Sequence, residues 1–253
     1  FPVVIGGEGQ PILLLHGFDS SFLEFRRIYQ VLKKDFKVII PDLLGFGFSP
    51  RCAANEYNPS KIISFLIDLL EILQITKNLK IIGASMGGST ALKLAFEIPD
   101  SIEKMILLSP AGLFGKPKSI PFPLNQIGAS FLGLQQVRKS LCRQAFAFPN
   151  ECVGEMEEQI ASIHLGCSGW RNSLASFAKS GGFAGTQKYI QNIPIKAVCG
   201  ENDRILGKKE IKNIRKIDKL NFVGLQNCGH LPHVDLPSLS SKIIQDFFKK
   251  NHY

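Results

Sequence analysis

Leu79-Lys80-Ile81-Ile82-Gly83-Ala84-Ser85-Met86-Gly87-Gly88 is the stretch whose reading decides the fold. Its apolar first half reads as a buried strand, and Ser89-Thr90-Ala91-Leu92-Lys93-Leu94-Ala95-Phe96 continues beyond it with helical character. The pattern is a strand, a tight turn and a helix, with serine at the bend. A serine there is forced into a strained positive-φ conformation, so the residues two before and two after it must be small; both are glycine. The strain lifts the Ser85 hydroxyl out of the sheet. The following helix points its free N–H groups and positive dipole end at the same spot, where a developing oxyanion gains most. In a chain with 23 glycines, Gly-x-Ser-x-Gly alone marks an ordinary loop as readily as a site, so its context carries the argument.

That context is an alternation of short β-rich runs with longer helical patterns. Strands are predicted at 11–15, 37–41, 79–83, 104–109, 195–199 and 221–226, and helices near 22–34, 59–75, 86–98, 207–216 and 237–250. Such alternation implies an α/β fold with a mostly parallel sheet covered on both faces. The strands are continuous apolar runs, as in Ile12-Leu13-Leu14-Leu15 and Met105-Ile106-Leu107-Leu108, which suits burial on both sides. One interval breaks the rhythm: about 80 residues separate the strand ending near Ser109 from the one starting at Ile195, far more than an ordinary βα connection. It opens with the Pro/Gly-rich Gly115-Lys116-Pro117-Lys118-Ser119-Ile120-Pro121-Phe122-Pro123, then shows helical spacing through Ile127, Phe131, Leu134, Val137 and Leu141. Further helix is expected around Glu155–Leu165 and Trp170–Lys179. The chain thus divides into a core, residues 1–112 and 186–253, and a helical insertion, 113–185.

At 253 residues the chain is long enough for one sizeable α/β domain with an inserted lobe, and its 45% apolar content is that of a soluble globular protein with a substantial core. No apolar stretch approaches the roughly 20 residues that span a bilayer, so no transmembrane segment is expected. Nothing near Phe1 has the regions of a signal peptide, although the chain opens with Phe rather than Met. Six cysteines (Cys52, Cys142, Cys152, Cys167, Cys199, Cys228) lack metal-ligand spacing and read as free thiols in a reducing compartment: the cytoplasm, or an organelle stroma if a targeting segment precedes Phe1. The net charge of +9 is carried by short pairs such as Lys33-Lys34, Lys208-Lys209 and Lys249-Lys250 on helix-like faces, without a nucleic-acid motif. Solvated helix surface explains it better than a nucleic-acid partner.

A serine hydroxyl needs an adjacent base, usually a histidine whose other nitrogen is oriented by a carboxylate. Of the five histidines, His16 lies at a strand end, His164 in the insertion and His252 at the terminus, while His230 and His233 share Cys228-Gly229-His230-Leu231-Pro232-His233. Only His230 follows the last strand immediately, which puts it at the carboxyl edge of the sheet where open α/β sheets bind ligands. His233, beside Pro232 and Asp235, suits a hydrogen-bonded loop anchor. The acid is sought at another strand end between serine and histidine, where Glu201 and Asp203 are available and Asp203 is favoured. The strand ending Leu107-Leu108-Ser109 supplies no carboxylate, and the order Ser, Asp, His, each at the end of a separate strand, weighs against a mere helix cap.

These residues resemble the α/β-hydrolase superfamily over nearly the whole chain. The resemblance is carried by His16-Gly17-Phe18, Pro41-Asp42-Leu43-Leu44-Gly45-Phe46-Gly47-Phe48-Ser49, Gly83-Ala84-Ser85-Met86-Gly87-Gly88, Gly200-Glu201-Asn202-Asp203 and Asn227-Cys228-Gly229-His230, in the family's order. It implies a doubly wound sheet of the α/β-hydrolase type with Ser85 as nucleophile, His230 as general base then acid, and Asp203 as its orienting partner. It also implies an oxyanion hole from the backbone N–H groups of Phe18 and Met86. His16 then braces the loop carrying Phe18, and Asp42 with Gly45-Phe46-Gly47 supplies turn chemistry. Serine at position 85 argues against the dehalogenase branch, which uses an aspartate nucleophile.

The insertion falls where the family places its cap, with Phe131, Leu134, Trp170, Phe177 and Phe183 available for an apolar roof. Trp170, Phe131 and Phe183 are the expected substrate contacts. Capped relatives carry longer strands ahead of the His-Gly loop, whereas only Phe1–Gln10 precede it here, and no strand is predicted among those ten. The implied activity needs no cofactor or metal and takes a small or medium hydrophobic acyl substrate, by default a carboxylic ester. Thioesters and carbon–carbon bonds beside a carbonyl suit the same triad, and a non-catalytic small-ligand receptor is the alternative on the same fold. Oligomeric state is not legible.

Overall fold

The computed structural model describes residues 1–52 and 56–249; Lys250 and His252 lie outside them. In chain order the elements are β1 (Val3–Gly6), β2 (Pro11–Leu15), α1 (Arg26–Leu32), β3 (Lys37–Pro41), α2 (Pro59–Ile72), β4 (Leu79–Ala84), α3 (Met86–Glu97) and β5 (Ile102–Leu108). Then come α4 (Leu124–Leu132), α5 (Gln135–Gln144), α6 (Pro149–Cys152), α7 (Glu155–Ile160) and α8 (Trp170–Ser180). The chain returns through β6 (Ile195–Gly200), α9 (Gly207–Arg215), β7 (Asn221–Leu225), α10 (Pro232–Asp235) and α11 (Pro237–Lys249).

The strands form one seven-stranded sheet in the order β1-β3-β2-β4-β5-β6-β7. β1 runs antiparallel to β3, and every other pair is parallel. Alternate residues of each strand feed two separate cores. Leu13, Ile39, Ile81 and Leu107 pack with Ile62, Leu66, Leu92 and Ile211 of α2, α3 and α9 on one face. Ile12, Val38, Ile82 and Ile106 pack with Ile28, Leu32, Ile244 and Phe248 of α1 and α11 on the other. A sheet buried twice over needs no polar alternation, which is why the strands read as unbroken apolar runs.

Three departures from the sequence reading have local causes. Val3–Gly6 is a strand, so an edge strand is present within the first ten residues; four residues pairing antiparallel at an edge leave too short a pattern to detect. The helix predicted from 22 begins instead with a 3-10 turn, Phe22–Phe25, before α1. There the Phe22 amide is drawn to Asp42 Oδ1 at 2.6 Å and Glu24 turns inward to the Gly17 amide at 3.1 Å. The spacing from Ile127 to Leu141 is two helices, α4 and α5, broken at Gly133, and Ile127, Phe131 and Leu134 face outward rather than into a core.

β2 lies between β3 and β4, so the connections on its two sides leave in opposite directions. At such a reversal the carboxyl ends of the strands open a crevice. The loops after β2 and β4, carrying Gly17-Phe18 and Ser85, meet there.

Candidate active site

The backbone at Ser85 has φ 51° and ψ −118°. A Cβ on Gly83 would stand 2.3 Å from the Gly87 carbonyl oxygen, and one on Gly87 would stand 2.0 Å from that of Leu15. Only bare backbone closes this turn. The Ser85 amide donates to Leu108 O at 2.9 Å, and its carbonyl receives the Gly88 and Ala111 amides at 2.9 and 3.0 Å. Those bonds to two neighbouring segments hold a conformation that the residue alone would avoid.

His230 stands on the loop after β7 with Nε2 2.8 Å from Ser85 Oγ and Nδ1 2.8 Å from Asp203 Oδ2. The other oxygen of Asp203 accepts the amides of Ile205 and Leu206 at 2.8 and 2.9 Å. Burial by itself would raise the Asp203 pKa; the hydrogen bond and charge of His230, with those two amides, outweigh it and hold the carboxyl below its ordinary value. A carboxylate at Nδ1 keeps the imidazole proton on that nitrogen and leaves Nε2 as an acceptor toward Ser85. Glu201, at the same strand end, turns instead to Arg215 at 2.5 Å. The His230 loop is held from above: its amide donates to Ala145 O at 2.7 Å, and Asp235 Oδ2 takes the amides of Gly229 and Ala147 at 2.6 and 3.0 Å.

The Gly17-Phe18 loop lies against the serine, since a Cβ on Gly17 would sit 3.3 Å from Ser85 Cβ. Met86 opens α3, so its amide has no partner within the helix. His16 is fully buried, its Nε2 accepting the Leu43 amide at 3.0 Å and its Nδ1 lying 2.8 Å from Gly17 O. Burial pushes its pKa below the usual histidine value, which suits a neutral ring bracing two loops. Asp42 does the same with its two oxygens on the amides of Phe22 and Phe48 at 2.6 and 2.7 Å. His233 is buried and stacked on Phe25, with Nε2 3.3 Å from Glu24 Oε1 but outside hydrogen-bond geometry; packing, not the hydrogen bond expected of a loop anchor, holds it.

A cavity of about 260 Å³ opens over Ser85 and His230, walled by Phe18, Leu132, Leu141, Ala145, Ile205 and Leu231. Its charged walls are Asp19, Glu24 and Arg138. Cys142 also lines it, but burial foremost raises its thiol to about 11, so it offers no competing thiolate. A larger, polar cleft of about 720 Å³ lies elsewhere, between Arg51, Asn125, Asn172 and Ser176, and does not reach Ser85. Its Arg51 guanidinium is already bonded to the carbonyls of Gly45, Gly47 and Ser49.

The structure does not put Trp170, Phe131 or Phe183 on the wall of the Ser85 cavity. Phe131 is 56% exposed on the outer side of α4. Phe183 packs on Phe177, which joins Phe18 and Phe46 in a ring cluster. Trp170 is buried and donates from Nε1 to Asp19 Oδ1 at 2.8 Å. Around that same carboxylate stand His164 Nε2 at 3.1 Å and Arg138 Nη1 at 2.5 Å. Arg138 also donates to Ala161 O. Sequence reasoning passed over Asp19, Glu24 and Arg138; the one available signal was an aspartate following Phe18 directly.

The family model for the alpha/beta hydrolase fold matches residues 10–237. The chain is 28% identical to the alpha/beta hydrolase domain-containing protein VTE7 of Arabidopsis thaliana over 97% of its own length and 76% of that protein. It is 35% identical to Lipase 1 of Psychrobacter immobilis, covering 90% and 73%. It is 23% identical to the 2-hydroxy-6-oxo-6-(2'-aminophenyl)hexa-2,4-dienoic acid hydrolase of Metapseudomonas resinovorans, covering 91% and 81%. The chain belongs to the alpha/beta hydrolase fold family, and hydrolysis is the activity that this membership supports.

Proposed function

We propose that the chain is a serine hydrolase of neutral, hydrophobic carboxylic esters, with residues 113–185 serving as the cap over its site. The observation that carries this reading is the unbroken hydrogen-bond chain Ser85–His230–Asp203, with both links at 2.8 Å. Ser85 Oγ attacks the acyl carbon while His230 Nε2 takes its proton. The tetrahedral oxyanion is held by the amides of Met86 and Phe18, and His230 returns the proton to the departing alkoxide. Water then gives its proton to His230 and attacks the acyl-enzyme, releasing the acid and restoring Ser85. Asp203 stays ionised throughout and stabilises the imidazolium.

The cavity supports the substrate class. At about 260 Å³ with mostly aliphatic and aromatic walls it suits a small or medium acyl group. Its fixed charges are two carboxylates, Asp19 and Glu24, against one guanidinium, Arg138, which Asp19 already neutralises. A substrate bearing its own carboxylate, such as the dienoic acid named for the relative from Metapseudomonas resinovorans, meets no unpaired cation there. Carbon–carbon hydrolysis of an acidic substrate is therefore the weaker reading.

Ser85→Ala is expected to cut hydrolysis of p-nitrophenyl butyrate by at least a thousandfold, and to abolish labelling by a fluorophosphonate probe. The native chain should prefer that neutral ester over a p-nitrophenyl hemisuccinate by tenfold or more in kcat/KM, about 1.4 kcal/mol. Activity surviving in Ser85→Ala would sink the mechanism. An unlabelled native serine beside a tightly held small molecule would favour the receptor.

A further inference from the structure

The outer surface of α4, with the segment that leads into it, combines apolar exposure with basic side chains; beside α5 stand the carboxylates Glu155 and Glu158 of α7, which share a groove with Gln135 and Lys139. Between Leu113 and Asn150 the sequence contains no Asp or Glu, but five basic residues: Lys116, Lys118, Arg138, Lys139 and Arg143. In the same stretch Ile120, Phe122, Leu124, Ile127, Phe131 and Leu134 are all exposed, from 44% at Ile120 to 78% at Phe122. Leu124, Ile127 and Phe131 recur at helical spacing on one side of α4. The opposite side is already used: Asn125 donates to Ala175 O at 3.1 Å, Ala129 is buried and Leu132 walls the Ser85 cavity. Leu134 carries the ridge to the start of α5, and Leu141, two turns on, reaches the cavity rim. Isolated surface leucines need no explanation, but a continuous ridge of large apolar side chains marks an interaction surface.

The charges indicate what covers it. Arg138 and Lys139 are paired with Asp19 and Glu158. Lys116, Lys118 and Arg143 have no carboxylate partner among the described residues, nor has Arg171, which shares a surface groove with Phe122 and Ile127. A second copy seated on this face would bring those cations together. A phosphate-bearing surface would neutralise them while its apolar layer took up the ridge.

We propose that this face docks peripherally on an anionic lipid bilayer, setting the mouth of the Ser85 cavity at the membrane surface. No helix among the described residues is long and apolar enough to cross a membrane, so the contact is interfacial. A bilayer-dissolved ester then reaches Ser85 along Leu134 and Leu141; this delivery rests on the serine hydrolase reading, while the docking does not.

The test is co-sedimentation of the full chain with vesicles of phosphatidylcholine alone and of phosphatidylcholine mixed with phosphatidylglycerol. Binding is expected to the mixed vesicles, weakening as salt rises. The triple variant Phe122→Ser, Ile127→Ser, Phe131→Ser alters exposed positions only, so its thermal melt should match the native one. Its vesicle affinity should fall about tenfold or more, with hydrolysis of soluble p-nitrophenyl butyrate within twofold of native. Lys116→Glu with Lys118→Glu should lower binding to the mixed vesicles selectively. Ser85→Ala should bind as the native chain does, which separates a failure of docking from a failure of catalysis. Absence of binding to mixed vesicles, or binding indifferent to the triple variant, overturns the proposal. So does a dimer in sedimentation velocity that the triple variant abolishes while vesicles go unbound, which would assign the face to a second copy.

Discussion

Asp203→Asn is expected to lower kcat about ten-thousandfold while KM stays within threefold and the fold is retained. The reason lies in the two halves of the carboxylate. Oδ1 receives the amides of Ile205 and Leu206, two donors that only an oxygen can satisfy. An asparagine must therefore keep its carbonyl oxygen there and turn its NH2 toward His230 Nδ1. That nitrogen can accept only if its proton moves to Nε2, which then faces Ser85 Oγ as a donor and not as a base. The variant keeps the distances and loses the tautomer. Steady-state kinetics on p-nitrophenyl butyrate, fluorophosphonate labelling rates and a thermal melt check the three parts together. A kcat within tenfold of native would remove Asp203 from the mechanism and reopen the choice with Glu201.

Asp19→Ala is expected to destabilise the protein by about 3–5 kcal/mol, because it strands buried partners rather than merely deleting a contact. Asp19 accepts from Arg138, His164 and Trp170, side chains on α5, the 3-10 turn between α7 and α8, and α8, and it directly follows Phe18. It also has φ 48°, which asparagine tolerates better than alanine. Asp19→Asn should thus be milder but still costly, since the Arg138 charge is left unpaired. For a chain of this size the alanine variant should melt on the order of 10 °C lower. Burial by itself raises the Asp19 pKa, but the His164 hydrogen bond and the Arg138 charge outweigh it and the net shift is downward. A depressed folded-state pKa contributes stability above the unfolded value, about 3.9, and loses it as pH falls through the folded value. The gap between native and Asp19→Asn should therefore be full at pH 7 and narrow under acid. Equal melting of native and alanine variant at pH 7 would mean that this buried cluster holds nothing together. Loss of kcat beyond the stability effect would trace to the Phe18 amide, one residue away.

The positions of β2 to β7 and of the longer helices between them were legible because each is set by short-range rules, whereas the four-residue edge strand β1 was not. A doubly buried strand is an apolar run, and a positive-φ bend between strand and helix demands glycine at 83 and 87. The carboxyl ends of β4, β6 and β7 were readable as the places where Ser85, Asp203 and His230 stand, since loop position follows from strand order. Less was visible wherever a side chain selects its partner across the chain. Trp170 looked like a roof residue and is a donor to Asp19; Ile127 and Phe131 carried a core-like spacing and face outward. Helical periodicity reports that a face is apolar. It does not report what covers that face.

The amino-acid sequence by itself determined the α/β alternation, the strained turn at Ser85 and the set of polar residues at strand ends, because propensity, periodicity and turn chemistry act within a few residues. Tertiary structure alone decided that Glu201 turns away to Arg215, that Asp19 gathers Arg138, His164 and Trp170, and that the α4 ridge lies outside. Those outcomes depend on which distant groups arrive within hydrogen-bond range and which apolar surfaces find a neighbour, and only the packed chain specifies that.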